Sequence, residues 1–236
     1  MIMDAQRAAY LHDLGITIWE RRGLPQIPAV ADAESTSGTP AADDARAASI
    51  VQMDWPALEA AVKACTACRL RAGCTQTVLG VGHRRAAWLV IGEAPGAEED
   101  RQGEPFVGRA GQLLNSMLAA IGLKREAVYI ANIVKCRPPD NRNPAPDEAA
   151  ACRPFLDRQI ALIQPKLILA VGRVAAQNLL QSAAPLGQLR GRVHELRGIP
   201  VVVTYHPAYL LRTPADKRKA WMDLQFAVRT FRELTA

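Results

Sequence analysis

The chain has 236 residues, 49% of them hydrophobic, enough for one sizeable α/β core with a tail or for two small domains. Its formal net charge of +6 is uneven: residues 1–50 carry four Lys and Arg against seven Asp and Glu, whereas residues 51–236 carry 25 against 16, a net +9 that suits an anionic partner such as nucleic acid. No apolar stretch approaches the roughly eighteen residues of a membrane span, and Asp4 and Asp13 interrupt any signal-peptide core, so a cytoplasmic protein without membrane attachment is expected.

In chain order, residues 1–25 contain a short amphipathic element with Tyr10, Leu11, Leu14, Ile18 and Trp19, which reads as a docking peptide for a protein partner or as an extra helix that packs on the body, the separating linker favouring the first. Residues 26–52 lose all periodicity and become Ala, Pro, Ser, Asp and Gly, the composition of a flexible linker. The body, 53–236, opens with a helix leading into CTACRL. The apolar run Trp88–Ile91 then predicts a buried strand, which breaks at Gly92 into an acidic, Gly- and Pro-rich loop. Three more strands are expected at 128–134, 167–171 and 200–205, with helical patterns at 109–122, 147–163 and 173–181. Strands alternating with helices predict a three-layer α/β/α sandwich around a central, mostly parallel four-stranded sheet. A last helix, with Thr213 as N-cap and Pro214 following, carries Trp221, Leu224, Val228 and Phe231 on a face expected to pack on the body.

Glu93 follows the first expected strand, Asn132 lies towards the end of the second, and His206 with Pro207 follows the fourth. In an open α/β sheet, ligands are gripped at the carboxyl ends of the strands, so these three side chains should converge there, with Phe106 and the loop after Gly92 beside them. Singly, each also has an ordinary structural use, as a backbone partner, a core imidazole or a helix cap.

The five cysteines belong to a compartment expected to be reducing, which makes thiols or metal ligands of them rather than disulfides. Cys65 and Cys68 form a CxxC, while Cys136 and Cys152 stand apart. A single CxxC with two isolated cysteines suits an iron–sulfur cluster better than zinc, which usually takes two paired knuckles; spacing alone leaves both open. Pro154 is expected to restart the helix around Cys152 and so to place that thiolate at a helix N-terminus. Cys74 is left over as a semi-buried thiol.

GEAPGAEED (92–100), PFVGRAGQLL (105–114), YIANIVKCRPPDNRNPAPDE (129–148) and HPAYLLR (206–212), with the four cysteines at this spacing, resemble the family-four uracil-DNA glycosylases over about residues 57–234. The resemblance implies a monomeric DNA repair enzyme that flips uracil out of single- or double-stranded DNA and hydrolyses its N-glycosidic bond, leaving an abasic site. It implies a [4Fe-4S] cluster on Cys65, Cys68, Cys136 and Cys152. Phe106 would stack on the base, Asn132 would pair with uracil O4 and N3–H, and His206 would donate to O2 as negative charge develops on the leaving base. Leu210 would wedge into the vacated base stack. Relatives with an Asp where Ala94 stands activate water with it, so Glu93 and Asn141 are its expected substitutes here, acting on a dissociative, oxocarbenium-like reaction. Gly96 removes the aromatic wall that rejects thymine's methyl group, and Glu99 is expected to replace it. Two features depart from the family: Cys74 stands where relatives often have Arg, and the N-terminal fifty residues are added. The basic, His-containing insertion of the related covalent uracil-binding proteins is absent, which implies turnover. The rival readings are a non-catalytic iron–sulfur module that binds nucleic acid or senses redox state, and a phosphotransfer enzyme, the latter opposed by the lack of a Lys-Ser/Thr pair after the glycines.

Overall fold

The computed structural model describes residues 40–235, so the amphipathic element at 1–25 and the first part of the expected linker lie outside it. Among the described residues the strands are β1 (Val81–Gly82), β2 (Trp88–Gly92), β3 (Tyr129–Asn132), β4 (Leu167–Val171), β5 (Val193–Leu196) and β6 (Ile199–Thr204), in one sheet of order β1-β3-β2-β4-β6-β5. The four strands expected from the sequence are the central ones, and they pair in parallel. Every residue of β2, β3 and β4 is buried, which is why these strands read as continuous apolar runs: helices cover both faces of a parallel sheet and leave no solvated side to alternate with. The sheet has six strands rather than four, because short antiparallel strands close both edges. Neither edge has a buried run to betray it: β1 is two residues long, and β5 alternates exposed with half-buried positions.

The described helices are α1 (Pro40–Val51), α2 (Trp55–Lys63), α3 (Leu70–Gly73), α4 (Ala97–Gln102), α5 (Arg109–Ala120), α6 (Pro146–Ile163), α7 (Arg173–Leu180), α8 (Leu186–Leu189), α9 (Pro207–Arg212) and α10 (Lys217–Thr235). On one face of the sheet, Leu89, Ile91 and Val203 pack with residues of α2, α6 and α7 such as Leu58, Leu156 and Leu179. On the other, Val90, Leu169 and Val202 pack with Leu114 and Leu118 of α5 and Leu224 of α10. Two apolar layers on one sheet make the three-layer sandwich.

Three expectations are corrected. Part of the linker is structured: α1 falls inside 26–52, Ile50 is buried in the core, and Arg46 Nη1 donates to Ala151 O at 3.0 Å with its guanidinium over the Phe155 ring. An alanine-rich segment needs few apolar residues to form a helix once one of them finds a core, and composition hides that. Pro154 does not restart its helix; α6 runs through it, so Cys152 sits inside the helix and not at its N-terminus. In the last helix, Leu224 is buried and Phe231 packs on Trp88 with ring centroids 5.1 Å apart, but Trp221 is 40% exposed. That helix begins at Lys217, after a 3-10 turn at Pro214–Asp216.

The placement of α1 gives a first expected result. Truncation after residue 52 should lower the thermal stability of the body below that of a truncation after residue 39, by at least the ~1.5–3 kcal/mol of burying one large aliphatic side chain. Equal denaturation curves for the two truncations would show that α1 adds nothing to the core.

Candidate functional site

Gly92 and Asn132 end two neighbouring parallel strands in direct register, while Thr204 ends β6 on the far side of β4. The loops leaving those ends surround a cavity of about 420 Å³, whose wall includes Glu93, Glu99, Phe106, Asn132, Asn141 and His206. The volume lies within the range of small-ligand pockets. Six of the seven residues expected to act on the base or on the DNA stack thus meet in one place.

The seventh does not. Leu210 is 1% exposed and belongs to the apolar layer of α5 and α10, so its side chain cannot reach into a DNA stack from there. It falls one turn along α9 from His206, on the face that helix turns to the core. The neighbours Tyr209 and Arg212 line the cavity instead. They stand three and six residues after His206, a helical spacing that was visible in HPAYLLR. Tyr209 stacks on Tyr205 at 5.3 Å, and its hydroxyl donates to Asp216 Oδ2 at 2.7 Å.

Missing side chains let the site close up. A Cβ at Gly92 would stand 2.4 Å from Asn132 Oδ1 and 2.6 Å from the Phe106 ring. A Cβ at Gly111, on the first turn of α5, would stand 1.8 Å from Phe106 O. Phe106 itself is held at φ 55, a left-handed conformation that is costly for an aromatic residue and persists only where its surroundings fix it. Part of that fixing comes from Glu99: Oε1 accepts from the amides of Val107 and Gly108 at 3.0 and 3.2 Å, and Oε2 from Gly96 at 3.1 Å. Both oxygens therefore tie the loop together, so Glu99 shapes the pocket through backbone contacts.

Asn132 is 2% exposed, and its Oδ1 has no hydrogen-bond partner among the described residues. A buried, unpaired amide oxygen is costly unless something outside the chain completes it, and this one borders the cavity. The His206 ring lies 5.6 Å from that of Phe106. Burial pushes the imidazole pKa down to about 4, with Arg212 adding to the shift, so at neutral pH the ring is uncharged. The Ala208 amide donates to Nδ1 at 3.1 Å, which leaves the ring's proton on Nε2. Burial raises the Glu93 carboxyl pKa against the opposing pull of Arg173. Asn141, at φ 53, keeps Oδ1 on Arg137 Nε at 2.8 Å.

A second, narrow cavity is lined by Cys65, Cys68, Cys136 and Cys152, without a carboxylate or imidazole in its wall. Among the described residues no three His, Cys, Asp or Glu side chains are grouped to hold a single ion. Four sulfurs around one space, with no carboxylate or imidazole among them, form a donor set that an iron–sulfur cluster accepts. Burial raises the Cys152 thiol pKa to about 11 while the Lys135 ammonium pulls it down, and burial also raises Cys136, with Cys74 as the next largest cause. Arg46 Nη2 donates to Cys65 Sγ at 3.7 Å. Glu148, with no exposed side-chain surface, accepts from Arg69 at 2.8 Å and from Arg142 at 2.8 and 2.7 Å, and the Arg142 bonds lead in holding its pKa down to about 2. One carboxylate thus joins the residue after the CxxC to a residue of the first cavity's wall.

The family model of the Uracil DNA glycosylase superfamily matches residues 79–225. The chain is 45% identical over 172 residues to the type-4 uracil-DNA glycosylase of Archaeoglobus fulgidus, covering 70% of this chain and 86% of that protein. It is 46% identical over 158 residues to that of Thermotoga maritima, covering 66% and 82%, and 41% identical over 180 residues to that of Pyrobaculum aerophilum, covering 73% and 92%.

Proposed function

Since this chain belongs to the type-4 uracil-DNA glycosylases of the uracil DNA glycosylase superfamily, hydrolases that remove uracil from DNA in repair, we propose how its own residues perform that reaction. The observation that carries the reading is the buried, unpartnered Oδ1 of Asn132 at the cavity wall. An Asn side chain offers an acceptor and a donor together, the complement of uracil N3–H and O4. The Phe106 ring, next to His206, gives a flipped base its stacking face and excludes water from it.

As the glycosidic bond breaks, negative charge moves onto uracil and positive charge onto the sugar. His206 Nε2–H donates to O2, a neutral donor whose contribution grows as the oxygen becomes anionic. Glu93, ionised, stabilises the sugar cation and orients the attacking water, with Asn141 beside it on the same wall. Excision should therefore weaken as pH falls through the raised pKa of Glu93, because protonation removes the negative charge that the cation needs. The His206 imidazole, pushed down to about 4, takes up its proton only at lower pH. Single-turnover rates across the mildly acidic range should show one acid limb, and Glu93→Gln should be slower with that limb gone; a limb that survives the substitution would belong to another group.

Cys65, Cys68, Cys136 and Cys152 hold a [4Fe-4S] cluster, whose part is to fasten the segment before β1 to the loop after β3 and to α6. Protein purified anaerobically should be brown, absorb broadly in the visible and contain about four irons per chain. Stoichiometric zinc without iron would overturn this assignment. Residues 1–25 dock a protein partner, and the chain acts as a monomer on DNA.

The reaction is tested by incubation with uracil-containing single- and double-stranded oligonucleotides, followed by alkali. Strand cleavage at uracil alone is expected. Iron-loaded protein that binds these oligonucleotides and leaves no abasic site would make the site a binding module.

A further inference from the structure

Lys135 is 2% exposed, and its ammonium lies among neutral oxygens: Nζ donates to Asn132 O at 2.9 Å and to Gln159 Oε1 at 2.6 Å. Among the described residues no carboxylate pairs with it. A buried cation without an anion is strongly unfavourable, so its charge needs a partner. The one available lies on its other side, because Lys135 also lines the cavity of the four cysteines, next in sequence to Cys136. Four thiolates holding an iron–sulfur cluster carry net negative charge, and although Arg71 in the same wall and Arg46 at Cys65 Sγ are half-buried cations beside it, Lys135 is the fully buried one. Gln159 completes the arrangement: its Nε2 donates to Leu79 O at 2.9 Å, so its Oε1 is turned to Lys135 and cannot swing away without leaving that carbonyl bare.

We propose that Lys135 is the counter-charge of the cysteine-held cluster and, through its bond to the Asn132 carbonyl, the link that makes the uracil-recognising amide depend on cluster occupancy. This rests on the cluster assignment above. With the cluster in place, the ammonium is balanced and can stay buried while it anchors the end of β3. Without it, the same ammonium is an uncompensated charge under Asn132, and the strand end must yield to let water reach it. The cluster then supports base recognition electrostatically, without contact with the base. Lys135 is a positioning residue in this scheme, since it touches neither uracil nor sugar.

The test uses the iron-loaded protein and its Lys135→Met, Lys135→Gln and Gln159→Met variants, with iron content measured first. Wild type without iron would remove the cluster assignment, independently of Lys135. With iron present, both Lys135 variants should shift the cluster's reduction potential to more negative values, because a positive charge that favours the added electron is gone. They should also lose iron to a chelator roughly 10–100-fold faster, as with other outer-shell partners. Gln159→Met keeps the charge and should leave the potential near that of wild type. An unchanged potential in both Lys135 variants would overturn the proposal and reduce Lys135 to a strap on Asn132. If a Lys135 variant is recovered without iron, its thermal stability is compared with that of wild type stripped of iron. The proposal requires the stripped wild type, with its ammonium unbalanced, to be the less stable; the reverse order overturns it.

Discussion

His206→Ala should slow uracil excision roughly 10²–10³-fold while leaving affinity for uracil-containing DNA almost unchanged. One donor aimed at a developing oxyanion is worth about 3–4 kcal/mol, and most of that appears only once charge has moved onto the base. In the structure the Ala208 amide occupies Nδ1, so the proton is on Nε2, and burial keeps the ring neutral. A neutral donor has no charge to spend on the uncharged ground state, which is why binding should barely respond. Single-turnover rates and equilibrium binding measured on the same preparation separate the two effects. Parallel losses in both would mean that the imidazole merely caps α9, of which His206 is the N-cap residue.

The second large effect is expected at Asn132. Uracil offers an acceptor at O4 and a donor at N3, whereas cytosine offers a donor at N4 and an acceptor at N3, so an Asn amide set for the first leaves mispaired buried groups with the second. Asn132→Ala should abolish most uracil excision and give nothing in return. Asn132→Asp should also lose uracil excision but gain slow removal of unpaired cytosine, since burial favours the protonated carboxyl, which can donate to N3 while accepting from N4. Oligonucleotides with one uracil or one unpaired cytosine, treated with alkali after incubation, report both outcomes. Retention of full uracil excision in both variants would take Asn132 out of the recognition site.

Much of this was legible in the sequence because a parallel sheet buried on both faces writes itself as apolar runs, and three of the four runs carry a candidate site residue at or near their carboxyl end. Glu93, Asn132 and His206 could be placed at one edge from strand order alone. What stayed hidden is what depends on the far side of a contact. Leu210 and Arg212 are both helical neighbours of His206, and only packing decides that the first enters the core and the second the cavity wall. Glu99 reads as a polar group free to meet a ligand until its two oxygens are found on three backbone amides. Helix α1 was hidden by alanines, whose contribution is helical propensity and not a pattern. Lys135 gave no signal, because a lysine between apolar strand residues looks like a solvent-facing end.

The two antiparallel strands that complete the sheet bear on how the protein behaves when crowded. An open sheet edge invites a second chain to add its own strand, and polymerisation can follow. At one edge, β1 offers only Val81 and Gly82, and Gly82 at φ 121 turns the chain away after two residues. At the other, β5 returns to β6 through Arg197 and Gly198, both left-handed, a tight reversal that imposes strong local twist, and it presents Glu195 to solvent. Neither edge is long, flat and apolar enough to template another molecule. A DNA repair enzyme gains from a sheet with no edge onto which a neighbour can zip.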